Sequence, residues 1–263
     1  MEALLISKMQ TTRLLDNDKH QNGFAKEAPR VSRYSLADTV PVREGMDYHL
    51  RVITAEDREK VLKFLRRFFF RDEPLNHSIQ LIPEGEDSTC VELEEYSMSS
   101  IENNLSLMAV SSSGSVIGVL INGEMEPPKD GEPDYITNCA NPKFKKILKL
   151  LNHVDKEANL SKKYPDQRVL ELRIISVDGA WRGRGVARLL VERTEMLAKD
   201  NGFHMLRSDC SSLFSGKLCQ RFGFKANYEL PYSEYVDEDG KPIFKPSHPH
   251  VAIVTYVKKL ADV

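Results

Sequence analysis

Arg182-Gly183-Arg184-Gly185-Val186-Ala187 stands between an apolar alternating run, Val169 to Val177, and a helical pattern from Arg184 to Lys199 that stops at Asn201-Gly202. A strand that feeds a two-glycine turn opening directly into a helix points to an α/β fold. The turn also points to a kind of ligand. A helix N-terminus offers unpaired backbone N–H groups and the positive end of the helix dipole, an arrangement suited to a pyrophosphate. Gly183 and Gly185 carry no side chain, so the backbone can approach the oxygens closely. Arg182 and Arg184 add charge-assisted donors. Val186, Leu189, Leu190 and Leu197 give the helix an apolar side to set against a sheet. A dinucleotide-binding fingerprint needs a third glycine where Arg188 stands, and the P-loop spacing is absent.

Working outward, the pattern predicts one mixed α/β domain over residues 46–263, behind a flexible tail at 1–45. Downstream, His204 to Cys210 reads as a strand, Ser212 to Arg221 as a helix, Phe224 to Leu230 as a strand and His250 to Val257 as the closing strand. Upstream, Tyr48 to Ile53 alternates as a strand, and Thr54 with Asp57 forms a capping-box pattern. Val61, Leu65, Phe68 and Phe69 then make one apolar stripe on a helix ending near Phe70, and Pro74 cannot continue it. A second helix is expected over Ser88 to Asn103. Leu105 to Val110 and Val116 to Asn122 flank Ser111-Ser112-Ser113-Gly114 as a hairpin, so the serine run reads as a turn and not as a nucleophile. Pro127, Pro128, Pro133 and Pro142 mark an excursion, and Phe144 to Glu157 returns to helical spacing.

Composition excludes several classes. With 263 residues, 41% hydrophobic and 29% charged, the chain is not wholly disordered, and a net charge of −2 gives no global attraction to nucleic acid or an anionic membrane. Cys90, Cys139, Cys210 and Cys219 form no CxxC pair and lie beside no histidine at zinc-ligand spacing, so no metal site is expected. No stretch reads as a signal peptide or a membrane span. The expectation is a cytoplasmic protein with reduced thiols, acting as a monomer.

Arg182, Gly185 and Ala187 also fill the pattern [Q/R]xxGx[G/A], and here the chain resembles the GNAT superfamily, within it the insect arylalkylamine N-acetyltransferases. The resemblance covers roughly residues 47–258. It rests on Phe68 through Asn76, on Asn141 through Leu148, on Ile175-Ser176-Val177-Asp178, on Arg182 through Ala187, on Cys210-Ser211-Ser212, and on Phe244-Lys245-Pro246 with Pro249-His250-Val251. Asp72-Glu73-Pro74-Leu75-Asn76 is the most specific block, because the wider superfamily lacks it. The resemblance implies a mixed central sheet with two splayed parallel strands, flanked by helices. It implies acetyl-CoA as co-substrate, held by Ser176, Val177, Arg182, Gly183, Arg184, Gly185, Val186, Ala187 and Ser215. It implies an aromatic amine as acceptor, with dopamine, serotonin, tyramine, octopamine and tryptamine as the class, and roles in biogenic amine inactivation and cuticle sclerotisation.

Acetylating an amine from a thioester requires deprotonating an ammonium, a donor for the oxyanion and an outlet for the thiolate. Glu73, beside a run of phenylalanines that would raise its pKa by burial, is the candidate base, directly or through a water. Its bland alternative is a solvated turn carboxylate. A tyrosine usual in the superfamily four residues before Gly223-Phe224 is replaced by Cys219, which reads as packing. The resemblance points instead to Ser211 and Ser215, which share a helical face if the helix includes both; Ser211 and Ser212 also suit a helix cap. The oxyanion donor is expected on the backbone between Leu172 and Val177. Phe70, Glu73 and His250 are candidates to line the acceptor pocket, with Phe68, Phe69 and Phe214 as further aromatic material, although His250 equally suits a structural role. A GNAT enzyme for polyamines or protein amines, or a CoA-binding module without catalysis, remains open. Polyamine sites need several carboxylates.

Overall fold

The computed structural model describes residues 47–85, 88–126 and 131–260; the expected tail at 1–45 lies outside the described residues. Seven strands form one sheet in the order β1-β2-β3-β4-β5-β7-β6. They are β1 (Tyr48–Val52), β2 (Leu107–Ser111), β3 (Val116–Glu124), β4 (Val169–Val177), β5 (Met205–Cys210), β6 (Lys225–Pro231) and β7 (Ala252–Lys259). Every neighbouring pair is antiparallel except β4 and β5. Those two are joined by the crossover helix α7 (Val186–Asp200), as parallel strands require.

Alternation along the strands sorts side chains to two faces. In β2, Met108 and Val110 join the apolar cluster of α1 (Arg58–Phe68), α3 (Val91–Met98) and α5 (Pro142–Ala158), whereas Leu107 and Ala109 join that of α7 and α8 (Leu213–Arg221). The same rule applied to β5 puts Leu206 and Cys210 on the α7 side and leaves Arg207, Asp209 and Ser211 to the α1 side.

Two differences from the sequence reading follow from capping. Between Ser88 and Asn103 only Val91–Met98 is α-helical, followed by a 3-10 turn at Ile101–Asn103 and a left-handed residue, Asn104. Pro74 does not merely end α1. It occupies the first position of a short helix, α2 (Pro74–Ser78), where its missing N–H costs nothing. The proline-rich excursion contains α4 (Asp134–Thr137), and α6 (Leu160–Lys163) follows α5. No helix among the described residues is long and apolar enough to cross a membrane.

Candidate active site

The parallel pairing of β4 and β5 stops early. Val169, Leu170 and Glu171 pair with Met205, Leu206 and Arg207, and no later residue of β4 pairs with β5, although the strands run on to Val177 and Cys210. This is the expected splay. Ser208 Oγ donates to Leu172 O at 3.1 Å, taking up a carbonyl just past the last paired residue. On the α7 side the gap opens into a cleft lined by Leu172, Ile175, Val191, Ser208, Ser215, Leu218, Cys219, Phe222 and Phe224.

The glycine turn sits at the end of β4 nearest this gap. Asp178 caps a 3-10 turn, Gly179–Trp181, by accepting from Ala180 N–H at 2.9 Å. Gly183 and Gly185 take φ of 76° and 82°, a left-handed conformation that costs an L side chain about 1 kcal/mol or more. Helix α7 therefore begins at Val186, two residues later than the sequence pattern predicts, because Gly185 is its non-helical N-cap. A Cβ at Gly118 would lie 2.9 Å from Val186 Cγ1, so the first turn of α7 rests directly on β3. Arg182 Nε donates to Val177 O at 3.3 Å, and the Arg184 guanidinium lies over the Trp181 ring at 4.9 Å. Trp181 in turn meets the edge of Tyr48 at 6.0 Å. Ser176 faces the other way: its hydroxyl donates to Phe68 O at 3.1 Å and ties α1 to β4.

Glu73 is positioned by the block that carries it. Its extended backbone makes it the N-cap of α2, and Oε2 accepts from Asn76 N–H at 2.7 Å. Asn76 is buried and its Nδ2 donates to Phe70 O at 2.9 Å, folding the turn back on α1. Leu75 is buried beneath, whereas Asp72 is exposed. The other carboxylate oxygen, Oε1, accepts from Ser211 Oγ at 2.7 Å, across 138 residues of sequence. Glu73 is thus half-buried rather than a solvated turn residue, and burial raises its pKa. The hydrogen bonds from Ser211, Asn76 and Leu75 work against that rise without cancelling it.

The two serines do not share a helical face. Ser212, with φ −118° and ψ 148°, is the N-cap of α8, so Ser211 precedes the helix and belongs to the β5 alternation. Ser211 consequently faces Glu73. Ser215 lies on the first turn of α8 on the cleft side, where its N–H donates to Ser212 Oγ at 3.1 Å and the two hydroxyls are 2.9 Å apart. The gap between β4 and β5 separates these groups, Glu73 and Ser211 on one face, Ser208, Ser215 and Cys219 on the other.

Phe70 is buried in the core with its ring 6.0 Å from that of Phe69. His250 accepts from Leu213 N–H through Nδ1 at 3.2 Å and stands 5.5 Å from the exposed ring of Phe214, beside the start of α8. Burial and the neighbouring His248 lower the His250 pKa.

Two features went unread in the sequence. Tyr232 is buried and donates to Ser211 O at 2.7 Å, fixing the backbone that presents Ser211. Arg207 is 1% exposed and binds Asp155, Glu171 and Asp209 together. Charges at alternate positions of an otherwise apolar strand, Arg207 and Asp209, were the available signal for the second; nothing in the spacing marked the first.

The acetyltransferase (GNAT) family model matches residues 59–224. The fold is similar to the crystal structure of arylalkylamine N-acetyltransferase 2 from Aedes aegypti, with 33% identity, TM-score 0.77, and coverage of 82% of this chain and 100% of that one. It is also similar to mosquito arylalkylamine N-acetyltransferase like 5b, with 29% identity, TM-score 0.72, and coverage of 81% and 100%. A Drosophila melanogaster polyamine N acetyltransferase shares the fold at 23% identity, TM-score 0.70, and coverage of 81% and 100%. A glycine turn at a helix N-terminus, splayed parallel strands over a cleft and this match across most of the domain lead to one conclusion: the chain belongs to the acetyltransferase (GNAT) family, and it is an N-acetyltransferase that draws on acetyl-CoA to acetylate amines.

Proposed function

We propose that the protein is an arylalkylamine N-acetyltransferase in which Glu73 is the general base. The observation that carries this reading is the half-buried Glu73 carboxylate, raised in pKa and held by Ser211 at the gap between β4 and β5. A raised carboxylate pKa narrows the gap to an ammonium near 10 and suits proton abstraction, directly or through a water. The freed amine attacks the thioester carbonyl. The oxyanion is stabilised by backbone N–H groups of β4 between Leu172 and Val177, which pair with no strand on the β5 side. When the intermediate collapses the C–S bond breaks, and the thiolate leaves into the cleft beside Ser215. The backbone of Ser176 and Val177 and the turn from Arg182 to Ala187 hold the carrier, the pyrophosphate at the α7 N-terminus. The reading takes a monomer as the working unit.

The aromatic acceptor class is supported by the names of the two mosquito proteins. A second reading, a polyamine acceptor, is favoured by Asp155, Glu171 and Asp209, three carboxylates gathered on that face; Arg207 and Arg173 offset two of their charges. A thiol-release assay with dopamine, serotonin, tyramine, octopamine and tryptamine against agmatine and spermidine separates the two. Release confined to the aromatic amines is expected; equal or greater release with agmatine or spermidine overturns the aromatic reading.

Two smaller effects test the parts. Ser211→Ala removes a hydrogen bond that lowers the Glu73 pKa, so the acid limb of log kcat/KM against pH moves to higher pH. A limb that stays in place separates Glu73 from that limb. Trp181→Leu removes the ring under Arg184 and is expected to raise KM for acetyl-CoA about 2- to 5-fold, from a cation–π contact of about 0.5–1 kcal/mol, with kcat held. Saturation kinetics in acetyl-CoA reads both constants.

A further inference from the structure

Two thiols meet beside the cleft, and no step above uses them. Cys210 ends β5 and Cys219 lies on α8, with their sulfurs 3.6 Å apart. A disulfide spans about 2.05 Å, so closing the pair needs a shift of roughly 1.5 Å, within the reach of side-chain rotation and a small slide of a short helix. Cys219 also lines the cleft with Ser208 and Ser215, whereas Cys210 lies behind it, 2% exposed. A reagent small enough for the cleft therefore meets Cys219 first. The hydrogen bond with Cys219 and burial push the Cys210 thiol up, while the same bond lowers Cys219, so the outer sulfur ionises before the inner one. Cys90 and Cys139 belong to the cluster on the opposite face of the sheet.

We propose that Cys210 and Cys219 form a modification site, a dithiol that a small-molecule disulfide entering the cleft converts to a disulfide, narrowing the cleft and stopping acetyl transfer. The Cys219 thiolate attacks one sulfur of the small disulfide, forming a mixed disulfide and expelling one small thiolate. The Cys210 thiol then loses its proton and attacks Cys219 Sγ, forming the Cys210–Cys219 bond and expelling the second small thiolate. Two protein thiols are oxidised, one small disulfide is reduced to two thiols, and the protein's two protons pass to the leaving sulfurs. The new bond draws α8 onto the end of β5. Ser215, one turn before Cys219 and bonded to Ser212, moves with that helix, and the cleft it shares with Ser208 narrows. The inhibition, though not the linkage, rests on the reading that the carrier's thiol end occupies this cleft.

The test treats the full chain with 2-hydroxyethyl disulfide, with and without saturating acetyl-CoA, and follows peptide masses and thiol release together. Expected are a linked peptide joining Cys210 to Cys219 with loss of two hydrogens, slower linkage under acetyl-CoA, and recovery with dithiothreitol. Turnover is expected to fall roughly a hundredfold, the scale seen when groups around a reacting atom move by about an ångström. Cys210→Ala is expected to keep its initial turnover and to hold a 2-hydroxyethylthio group on Cys219 instead of a linkage. Modification of Cys90 or Cys139 with Cys210 and Cys219 unlinked overturns the proposal, and so does complete linkage with unchanged turnover. The wild-type masses stand whether or not the variant folds. A chain that acetylates no amine yet links Cys210 to Cys219 refutes the acetyl-transfer reading and keeps the modification site.

Discussion

Glu73→Gln loses about 10²- to 10⁴-fold in kcat, the contribution of a positioned base, while binding acetyl-CoA as the parent does and melting no lower at neutral pH. The three outcomes have one cause. Burial raises the Glu73 pKa, so its ionised form is disfavoured in the folded chain. A carboxyl whose folded pKa lies above its unfolded one binds more protons folded than unfolded between those two values. Its stabilising contribution is therefore present below the unfolded pKa and is lost as pH rises through the folded pKa. Wherever the parent's carboxyl is ionised it is a partly desolvated charge, and the neutral amide removes that cost. The amide also keeps the local contacts: its oxygen accepts Asn76 N–H, and its NH2 donates to Ser211 Oγ in place of the present 2.7 Å bond. Steady-state kinetics, isothermal titration with acetyl-CoA and a thermal melt read the three. Retained turnover removes Glu73 as the base; turnover lost together with stability makes its role structural.

The largest stability effect is expected at Arg207. Replacing it with Met removes the guanidinium shared by Asp155, Glu171 and Asp209, and leaves the three carboxylates around an apolar side chain with only Arg173, on Glu171, as a cationic partner. Removing one partner of a buried ion pair costs about 3–5 kcal/mol. The carboxylates are 17–35% exposed, and water reaching them holds the cost to the lower end of that range. At about 2–4 °C per kcal/mol for a domain of this size, Tm falls by roughly 6–12 °C. The deficit shrinks as pH falls. Burial already raises the Glu171 pKa, Arg207 is the foremost group lowering it, and without Arg207 Glu171 takes up a proton more readily. Melts of parent and variant from neutral to mildly acidic pH check this; a deficit independent of pH would assign the loss to packing. Arg207→Lys is expected to recover only part, because a single ammonium cannot fork to Asp155 and Asp209 at once.

The placement of Arg207 shows where sequence reasoning stopped. The sequence reading gave a strand from His204 to Cys210 and left the charges inside it, Arg207 and Asp209, unread. Which carboxylates met Arg207 depended on α5 supplying Asp155 from 52 residues upstream and β4 supplying Glu171. No local pattern encodes such a meeting. The serines teach the same lesson at closer range. A spacing of four suggested that Ser211 and Ser215 share a helical face, yet one extended residue, Ser212, changed the period from 3.6 to 2 between them and sent the two hydroxyls to opposite faces of the sheet.

What the sequence by itself determined was local. The strand, glycine turn and helix from Val169 to Asp200 follow from alternation, from the positive φ that Gly183 and Gly185 tolerate, and from an apolar helical stripe, and a few neighbouring residues suffice to specify each. The Asp72–Asn76 block likewise contains its own turn, with Glu73 as cap, Pro74 as first helical residue and Asn76 folding back to Phe70 O. What only the tertiary structure decided was the environment of Glu73: the hydroxyl of Ser211 against it, the burial that raises its pKa, and the early end of the β4–β5 pairing that opens the gap at its side. Burial and strand divergence are properties of segments brought together from far apart in the chain, and a carboxylate's chemistry follows the medium it is placed in rather than the residues that flank it.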